Sequence, residues 1–207
     1  MPSYSAERAN ARREEILNAC EKLYSEKSFK EITLKDVSGE ITCGRSSIYN
    51  YFSTKEEIFL ALLKREYDLL GDRFLENNEK YANLTTEKTA AIIAETLAAR
   101  PLLLKILSMN CYDLEENTSF EQLVDFKKSY VRRVTLLKKF LTKFKSNFTP
   151  REIDDCLYSL LPLIFGVYPY SATTEKKKKA VARAGGTHRE ITAYEIIYNR
   201  AVRILKD

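Results

Sequence analysis

Apolar residues recur along this chain of 207 residues at the three- and four-residue spacings of amphipathic helices. In residues 7–26, for example, they fall at positions 16, 17, 20, 23 and 24, on one face of a helix. The same spacing predicts eight further helices, near 33–41, 45–52, 54–74, 86–99, 101–110, 119–147, 150–168 and 187–206. Six glycines and five prolines are too few for the frequent turns of a β-sandwich or barrel. The pattern therefore predicts an all-α protein of about nine helices.

The composition predicts a soluble protein with a core, because 44% of the residues are hydrophobic and 30% are charged. The longest apolar stretch, residues 160–170, is too short to span a bilayer and contains two prolines. The N-terminus is polar and holds no apolar secretory segment. We therefore expect a cytoplasmic protein without a membrane partner.

Motifs for metal binding or catalysis do not occur in the sequence. The four cysteines are widely spaced and the chain has a single histidine, His188, whereas a zinc site needs a tighter pattern. No nucleophile elbow, phosphate-binding loop or paired-metal motif is present. We expect reduced, mostly structural thiols, no metal, no cofactor, no catalytic residue and no enzymatic activity.

Positive charge is concentrated in the C-terminal part of the chain. The net charge is +5, yet residues 127–207 carry +11, and residues 127–145 hold eight bases and no acid. Together with the basic run 176–179, this distribution could indicate a nucleic-acid surface. It could equally be the solvated face of an amphipathic helix, because apolar residues from 126 to 144 form an opposite face.

Residues 33–52 have the dimensions of a helix-turn-helix, two short helices joined by three or four residues. Residues 33–36 form a capping-box pattern that begins the first helix. On the second, Ile48 and Phe52 define a buried direction and Asn50 points almost opposite. The exposed face carries small hydroxyls, an amide, a tyrosine and an arginine, and residues 41–55 contain no acid. Such a face suits the major groove, where amides pair with adenine and guanidinium groups with guanine.

Lys55 stands at the start of the fourth predicted helix, where the helix dipole disfavours a cation. A phosphate bound at this helix terminus would account for the lysine. The neighbouring Glu56 and Glu57 would also account for it, by offsetting its charge.

Residues 16–63 resemble the DNA-binding domain of the tetracycline-repressor-like (TetR) family of transcriptional regulators. The resemblance lies in LYSEKSF (23–29) and ITL (32–34), and most strongly in SIYNYF (47–52) followed by KEEIF (55–59). It implies a helix-turn-helix domain over residues 1–54, continuous through the fourth helix with a helical effector-binding and dimerisation domain over residues 55–207. By position, it implies phosphate contacts from Thr33, Lys35, Tyr51 and Lys55, and groove contacts from Arg45, Ser46, Ser47, Tyr49 and Asn50.

The sequence departs from the family in the turn between the two helices. The family usually has Ala-Gly-Val-Ser where this chain has residues 41–44, Ile-Thr-Cys-Gly. Thr42 thus replaces a glycine that can adopt positive φ, and Gly44 replaces a serine N-cap.

Beyond residue 63, the resemblance implies a pocket for a small molecule, lined by aromatic and apolar residues of the later helices. We expect these to be Tyr67, Phe74, Leu104, Leu107, Tyr112, Phe126, Tyr130 and Phe165. Apolar stripes on the last two helices predict the interface of a homodimer. Its expected residues are Leu157, Leu160, Leu161, Ile164, Tyr194, Tyr198, Ala201 and Leu205.

The sequence favours a ligand-responsive repressor that binds a palindromic site in double-stranded DNA. An effector that is small and apolar or aromatic would release it. The alternative is an architectural DNA-binding protein of the nucleoid type with no small-molecule response, which the basic C-terminal part leaves open.

Overall fold

The computed structural model describes residues 4–42, 44–109 and 111–206, with the backbone alone at residues 4–6 and 45. Within these residues the regular secondary structure is entirely helical, which confirms the all-α prediction, and no helix is long and apolar enough to cross a membrane. A 3-10 turn covers Phe29–Glu31. Eleven α-helices are described: α1 (Tyr4–Glu26), α2 (Leu34–Gly39), α3 (Arg45–Ile48), α4 (Lys55–Lys80), α5 (Thr86–Ala98), α6 (Pro101–Leu107), α7 (Cys111–Glu116), α8 (Phe120–Phe144), α9 (Pro150–Ser171), α10 (Glu175–Arg183) and α11 (Ala193–Lys206).

The structure adds two helices, α7 and α10, to the nine that the sequence predicts. The sequence of α10, EKKKKAVAR, has no apolar stripe from which a helix could be predicted, and none of its residues is buried. Thr174 begins it by accepting a hydrogen bond from the backbone N–H of Lys177. The last helix starts at residue 193 rather than 187, because Thr192 caps it and accepts from the N–H of Glu195 at 3.1 Å.

The described chain forms two compact units, and α4 and α8 each contribute residues to both. The first unit comprises residues 1–65 and 110–129. Its core contains the predicted apolar face of α1, where Ile16 and Cys20 are buried. The ring of Phe59 on α4 meets those of Tyr24 and Phe29 edge-on, with centroids 4.9 and 4.8 Å apart. These contacts attach α1 and the 3-10 turn to the beginning of α4.

The second unit comprises residues 66–109 and 130–207. Here α11 packs against α5 and α9, and α6 packs against α9. Arg100, which precedes α6, makes a two-pronged ion pair with the buried carboxylate of Glu66 on α4, at 2.7 and 2.9 Å. α4 and α8 approach each other closely at Gly71, where an added Cβ would lie 2.9 Å from the end of the flexible Arg132 side chain.

The cysteines at positions 20 and 156 are free thiols. Burial raises the pKa of the Cys20 thiol to about 12 and that of Cys111 to about 11. Cys20 is only 1% exposed and packs in the first unit as a small apolar side chain. These thiols are therefore protonated at neutral pH.

Candidate nucleic-acid interface

A complete capping box begins α2, as the sequence predicts. The hydroxyl of Thr33 accepts from the backbone N–H of Asp36 at 3.2 Å, and the Asp36 carboxylate accepts from the N–H of Thr33 at 2.8 Å. The hydroxyl and N–H of Thr33 hold the pKa of Asp36 below its usual value. Thr33 and Lys35 are exposed beside this cap, so both lie at the surface at the beginning of α2.

The burial of α3 follows the predicted pattern. Ile48 and Phe52 are 0% and 1% exposed, whereas Tyr49 is 49% exposed and Asn50 also lies at the surface. The α-helix proper ends at Ile48, and the next turn is tightened by a hydrogen bond from the N–H of Tyr51 to the carbonyl of Ile48 at 2.9 Å. The buried pair anchors the segment while its other face points to solvent.

The exposed face of α3 offers uncharged hydrogen-bonding groups. The hydroxyl of Ser46 and the amide of Asn50 are exposed, and Ser47 and Tyr51 are half-buried at its flanks. The side chain of Arg45 lies outside the described residues. Small side chains allow a helix to enter the major groove, and an amide can donate to and accept from one base edge. This face is therefore suited to reading base pairs.

Lys55 is held by the chain itself. Its ammonium donates to the carbonyls of Phe29 at 3.0 Å and Ile32 at 3.2 Å and lies 4.2 Å from the centroid of the Phe29 ring. These carbonyls belong to the first residue of the 3-10 turn and to the residue that follows its end. The cation in the first turn of α4 is thus accounted for within the first unit. A phosphate at this position would share the ammonium with the two carbonyls.

Hydrogen bonds connect the turn before α3 to α1, through residues that the sequence did not indicate. The carboxylate of Glu15 accepts from the backbone N–H and the hydroxyl of Thr42, both at 2.7 Å, and Arg12 donates to the Thr42 hydroxyl at 2.8 Å. No described residue other than glycine has positive φ, so Thr42 occupies the turn without the left-handed conformation open to a glycine. Gly44 is the N-cap of α3 and has no side chain to cap it.

The pKa of Glu15 should report the hydrogen bonds between Glu15 and Thr42. The hydroxyl and N–H of Thr42 lower the pKa of Glu15 from 4.5 to about 2. The stability that the depressed pKa contributes is present above pH 4.5 and is lost as the pH falls towards 2. In Thr42→Val the N–H remains but the hydroxyl is lost, so we expect the pKa to rise part of the way to 4.5.

Carboxyl-carbon NMR measures this shift directly. The pKa of Glu31, which is lowered by Ser28, should not move in Thr42→Val and serves as the internal control. A Glu15 carboxyl that titrates near 4.5 in the unmodified protein would show that these hydrogen bonds to Thr42 do not form in solution.

The residues predicted to line an effector pocket are divided between the two units. Tyr112 and Phe126 belong to the first unit, and Tyr112 is 69% exposed. Phe165 is 42% exposed on the outside of α9, so it and Tyr112 face solvent rather than an enclosed pocket. Tyr130 lies at the edge, at 36% exposed. The remaining four are buried in the second unit: Tyr67, Phe74, Leu104 and Leu107.

Most of the residues predicted for the dimer interface are packed within one chain. Leu157, Leu160 and Ile164 are at most 4% exposed, on the side of α9 that faces its own unit. Ala201 and Leu205 are fully buried, since α11 packs its apolar side against α5 and α9. Half-exposed positions remain at Leu161, Tyr194 and Tyr198, and the last two stack with ring centroids 5.6 Å apart.

α9 has a second apolar side, which the structure leaves uncovered. Five residues spaced by one, three or four positions share this side, and Tyr158 and Phe165 are 78% and 42% exposed. We call it the outer face of α9; its residues are Tyr158, Leu161, Pro162, Phe165 and Pro169. Large exposed apolar surfaces of this kind mark interaction sites.

Comparisons with known proteins agree with this arrangement. Residues 16–62 match the family model described as bacterial regulatory proteins, tetR family. Residues 62–190 match the model described as tetracyclin repressor-like, C-terminal domain. Together the two models cover the helix-turn-helix and most of the helices that follow it.

Curated relatives and a solved structure are also similar to the chain. The HTH-type transcriptional regulator YfiR of Bacillus subtilis is 30% identical over 105 residues, 47% of this chain and 51% of that protein. The HTH-type transcriptional repressor AcnR of Corynebacterium diphtheriae is 29% identical over 77 residues, 37% of this chain and 40% of that protein. The chain thus spans about half or less of these relatives. The crystal structure of the MbdR regulator from Azoarcus sp. CIB has a TM-score of 0.57 at 16% identity and covers 93% of this chain and 96% of its own, a likeness of fold.

Proposed function

The chain belongs to the tetR family of bacterial regulatory proteins, and on this premise we propose that it is a transcriptional repressor. It binds a palindromic operator as a homodimer and is released by a small effector. The observation that carries this proposal is the exposed face of α3, free of acids and backed by the buried Ile48 and Phe52. We place the DNA-binding domain at residues 1–54 and the effector-binding and dimerisation domain at residues 55–207.

Specific and non-specific contacts have different origins in this proposal. Asn50 and Arg45 read base edges, with Ser46, Ser47 and Tyr49 beside them in the groove. Contacts to phosphates fix the position of the helix on DNA without reading the sequence. We assign these contacts to Thr33, Lys35, Tyr51 and Lys55.

Two copies of the chain associate through the outer face of α9. A stable dimer needs an apolar surface that the single chain leaves exposed, and Tyr158, Leu161 and Phe165 provide one. A twofold axis places the same face on both partners, so the surface must fit itself. The exposed side of α11 is less suitable, because Glu195, Asn199 and Arg203 occupy it.

An architectural protein without a small-molecule response is the alternative, suggested by the charge of +11 in residues 127–207. Part of this charge is offset by acids outside the block. Arg132 pairs with Asp72 at 2.5 Å, Lys127 with Glu115 at 2.7 Å and Lys206 with Glu87 at 3.1 Å. A basic stretch that is paired in this way has a weaker attraction for phosphates, so α3 remains the better site.

Selection of binding sites from a random pool of duplexes tests the proposal. We expect an enriched palindrome with half-site centres about 34 Å or more apart, because a twofold dimer presents two identical reading helices. Addition of an effector should release the protein from this site, whereas an architectural protein would stay bound. An enriched site without dyad symmetry, or a preference for single strands, would contradict the proposal.

A further inference from the structure

Arg133 on α8 is a buried cation to which the described residues supply no counter-charge. It is 4% exposed, and within the described residues no hydrogen bond or ion pair reaches its guanidinium. Its Nε is buried and has no acceptor. A charge removed from water normally needs a partner, because the loss of hydration costs several kcal/mol.

The other arginines of this chain that are largely removed from solvent, and several exposed ones, have carboxylate partners. Arg100 holds Glu66 through two hydrogen bonds, and Arg132, directly before Arg133, pairs with Asp72 at 2.5 Å. In the first unit, Arg65 pairs with Glu14 and with Glu21. The lack of an acid at Arg133 therefore distinguishes this position from its neighbours.

Two tyrosine rings surround the Arg133 guanidinium. Its central carbon lies 4.2 Å from the centroid of Tyr67 and 5.2 Å from that of Tyr130. Ring faces attract a cation but supply neither a full charge nor an in-plane acceptor for the N–H groups. Burial lowers the pKa of Arg133. The guanidinium of an arginine nevertheless keeps its charge in proteins.

A second pair of aromatic rings lies farther along the same two helices of the second unit. Phe74 lies two helical turns after Tyr67 on α4, and Phe140 lies two turns after Arg133 on α8. The rings of Phe74 and Phe140 are in contact, with centroids 5.8 Å apart. The site thus combines a positive end with an apolar, aromatic side.

We propose that Arg133 is the anion-binding group of the effector site and that the effector is an apolar or aromatic molecule with one anionic group, such as a carboxylate. The inference rests on the proposed function, since it names the chemical class of that effector. The guanidinium supplies a flat pair of N–H donors to the anion. Tyr67 and Tyr130 hold the guanidinium in place, and the apolar part of the molecule extends from it towards Phe74 and Phe140.

A matched pair of fluorescent probes tests the proposal on the full chain without DNA. The dye 8-anilino-1-naphthalenesulfonate carries an anionic group, and N-phenyl-1-naphthylamine has the same rings without it. We expect the unmodified protein to bind the sulfonate roughly tenfold to a hundredfold more tightly than the neutral dye, as a charged hydrogen bond in a buried site permits. Equal affinities, or no binding of the sulfonate, would overturn the proposal without any variant.

Variants then locate the effect. Arg133→Gln should abolish the preference for the anion and leave the affinity for the neutral dye within about twofold. Arg132→Gln removes the same charge one position earlier, where the guanidinium is exposed, and should keep the preference. If both variants lose the preference equally, general attraction by the basic helix is responsible and Arg133 is not the site.

Thermal unfolding of the unmodified protein with benzoate and with benzamide needs no variant, so it remains informative if Arg133→Gln folds poorly. Stabilisation by benzamide alone would contradict the proposal.

The outcome also separates this inference from the proposed function. Anion binding at Arg133 that never alters operator affinity would disprove the effector response and leave the anion site intact. Release of operator DNA by neutral compounds alone would disprove the anion site and leave the repressor.

Discussion

Phe165→Asp should convert the protein from a dimer to a monomer and abolish operator binding at concentrations where the unmodified protein binds. The twofold axis places two carboxylates in one interface, each costing about 3 kcal/mol or more when buried without a partner. The dimer dissociation constant should therefore rise by roughly a thousandfold or more. Sedimentation at micromolar concentration measures this, and gel shifts with a palindromic duplex report the loss of binding.

Two control variants on the same helix make the result specific. Tyr170→Asp replaces another exposed aromatic residue, 71% exposed but turned away from the outer face, and should remain dimeric. Leu157→Asp places the charge in the core of one chain, so it should lower the free energy of unfolding instead of producing a folded monomer. A dimeric Phe165→Asp, or a protein that is monomeric without any change, would contradict the proposed interface.

Asn50→Ala should weaken binding to the selected operator by about 1–3 kcal/mol and relax the base preference at one position of each half-site. The same result is expected for Arg45→Ala. Asn50 is exposed and its side chain is not part of the core, so the variant should unfold like the unmodified protein. Gel shifts with the operator and with single-base variants of it, at two salt concentrations, measure affinity and specificity together.

The basic run on α10 provides the contrasting variant. Replacing residues 176–179 with glutamine removes four positive charges from the second unit, yet should change operator affinity by only a few-fold. Net charge alone predicts the opposite, because residues 1–60 carry −1 and residues 127–207 carry +11. Specific binding that survives Asn50→Ala but collapses with the glutamine variant would move the DNA site to the C-terminal part.

Local spacing explains what could be predicted from the sequence. The buried positions of α3 lie one helical turn apart, so Ile48 and Phe52 determine which side of the helix faces solvent without knowledge of the tertiary structure. The capping box at Thr33 is equally local, since it spans four residues. Both predictions depend only on residues within one or two turns.

Long-range partners could not be predicted in this way. Glu15 and Thr42 are 27 residues apart, and no spacing rule joins them. The same holds for Lys55 and the carbonyl of Phe29. A helix with two apolar sides is a further case. The stripe predicted as the interface on α9 is mostly covered by its own chain, because local spacing does not say which side of a helix the rest of the chain covers.

The rate at which the Cys20 thiol is modified reports local opening of the first unit. Burial raises the pKa of Cys20 to about 12, so the thiol is almost entirely protonated at pH 7, and the thiolate is the form that alkylating reagents attack. The side chain is also 1% exposed, so a reagent reaches it only when α1 separates from the core. The rate of Cys20 modification therefore depends on how often α1 separates from the core, just as hydrogen exchange of backbone amides depends on local opening. Oxidants must also reach the buried thiolate, so Cys20 should react slowly with peroxide.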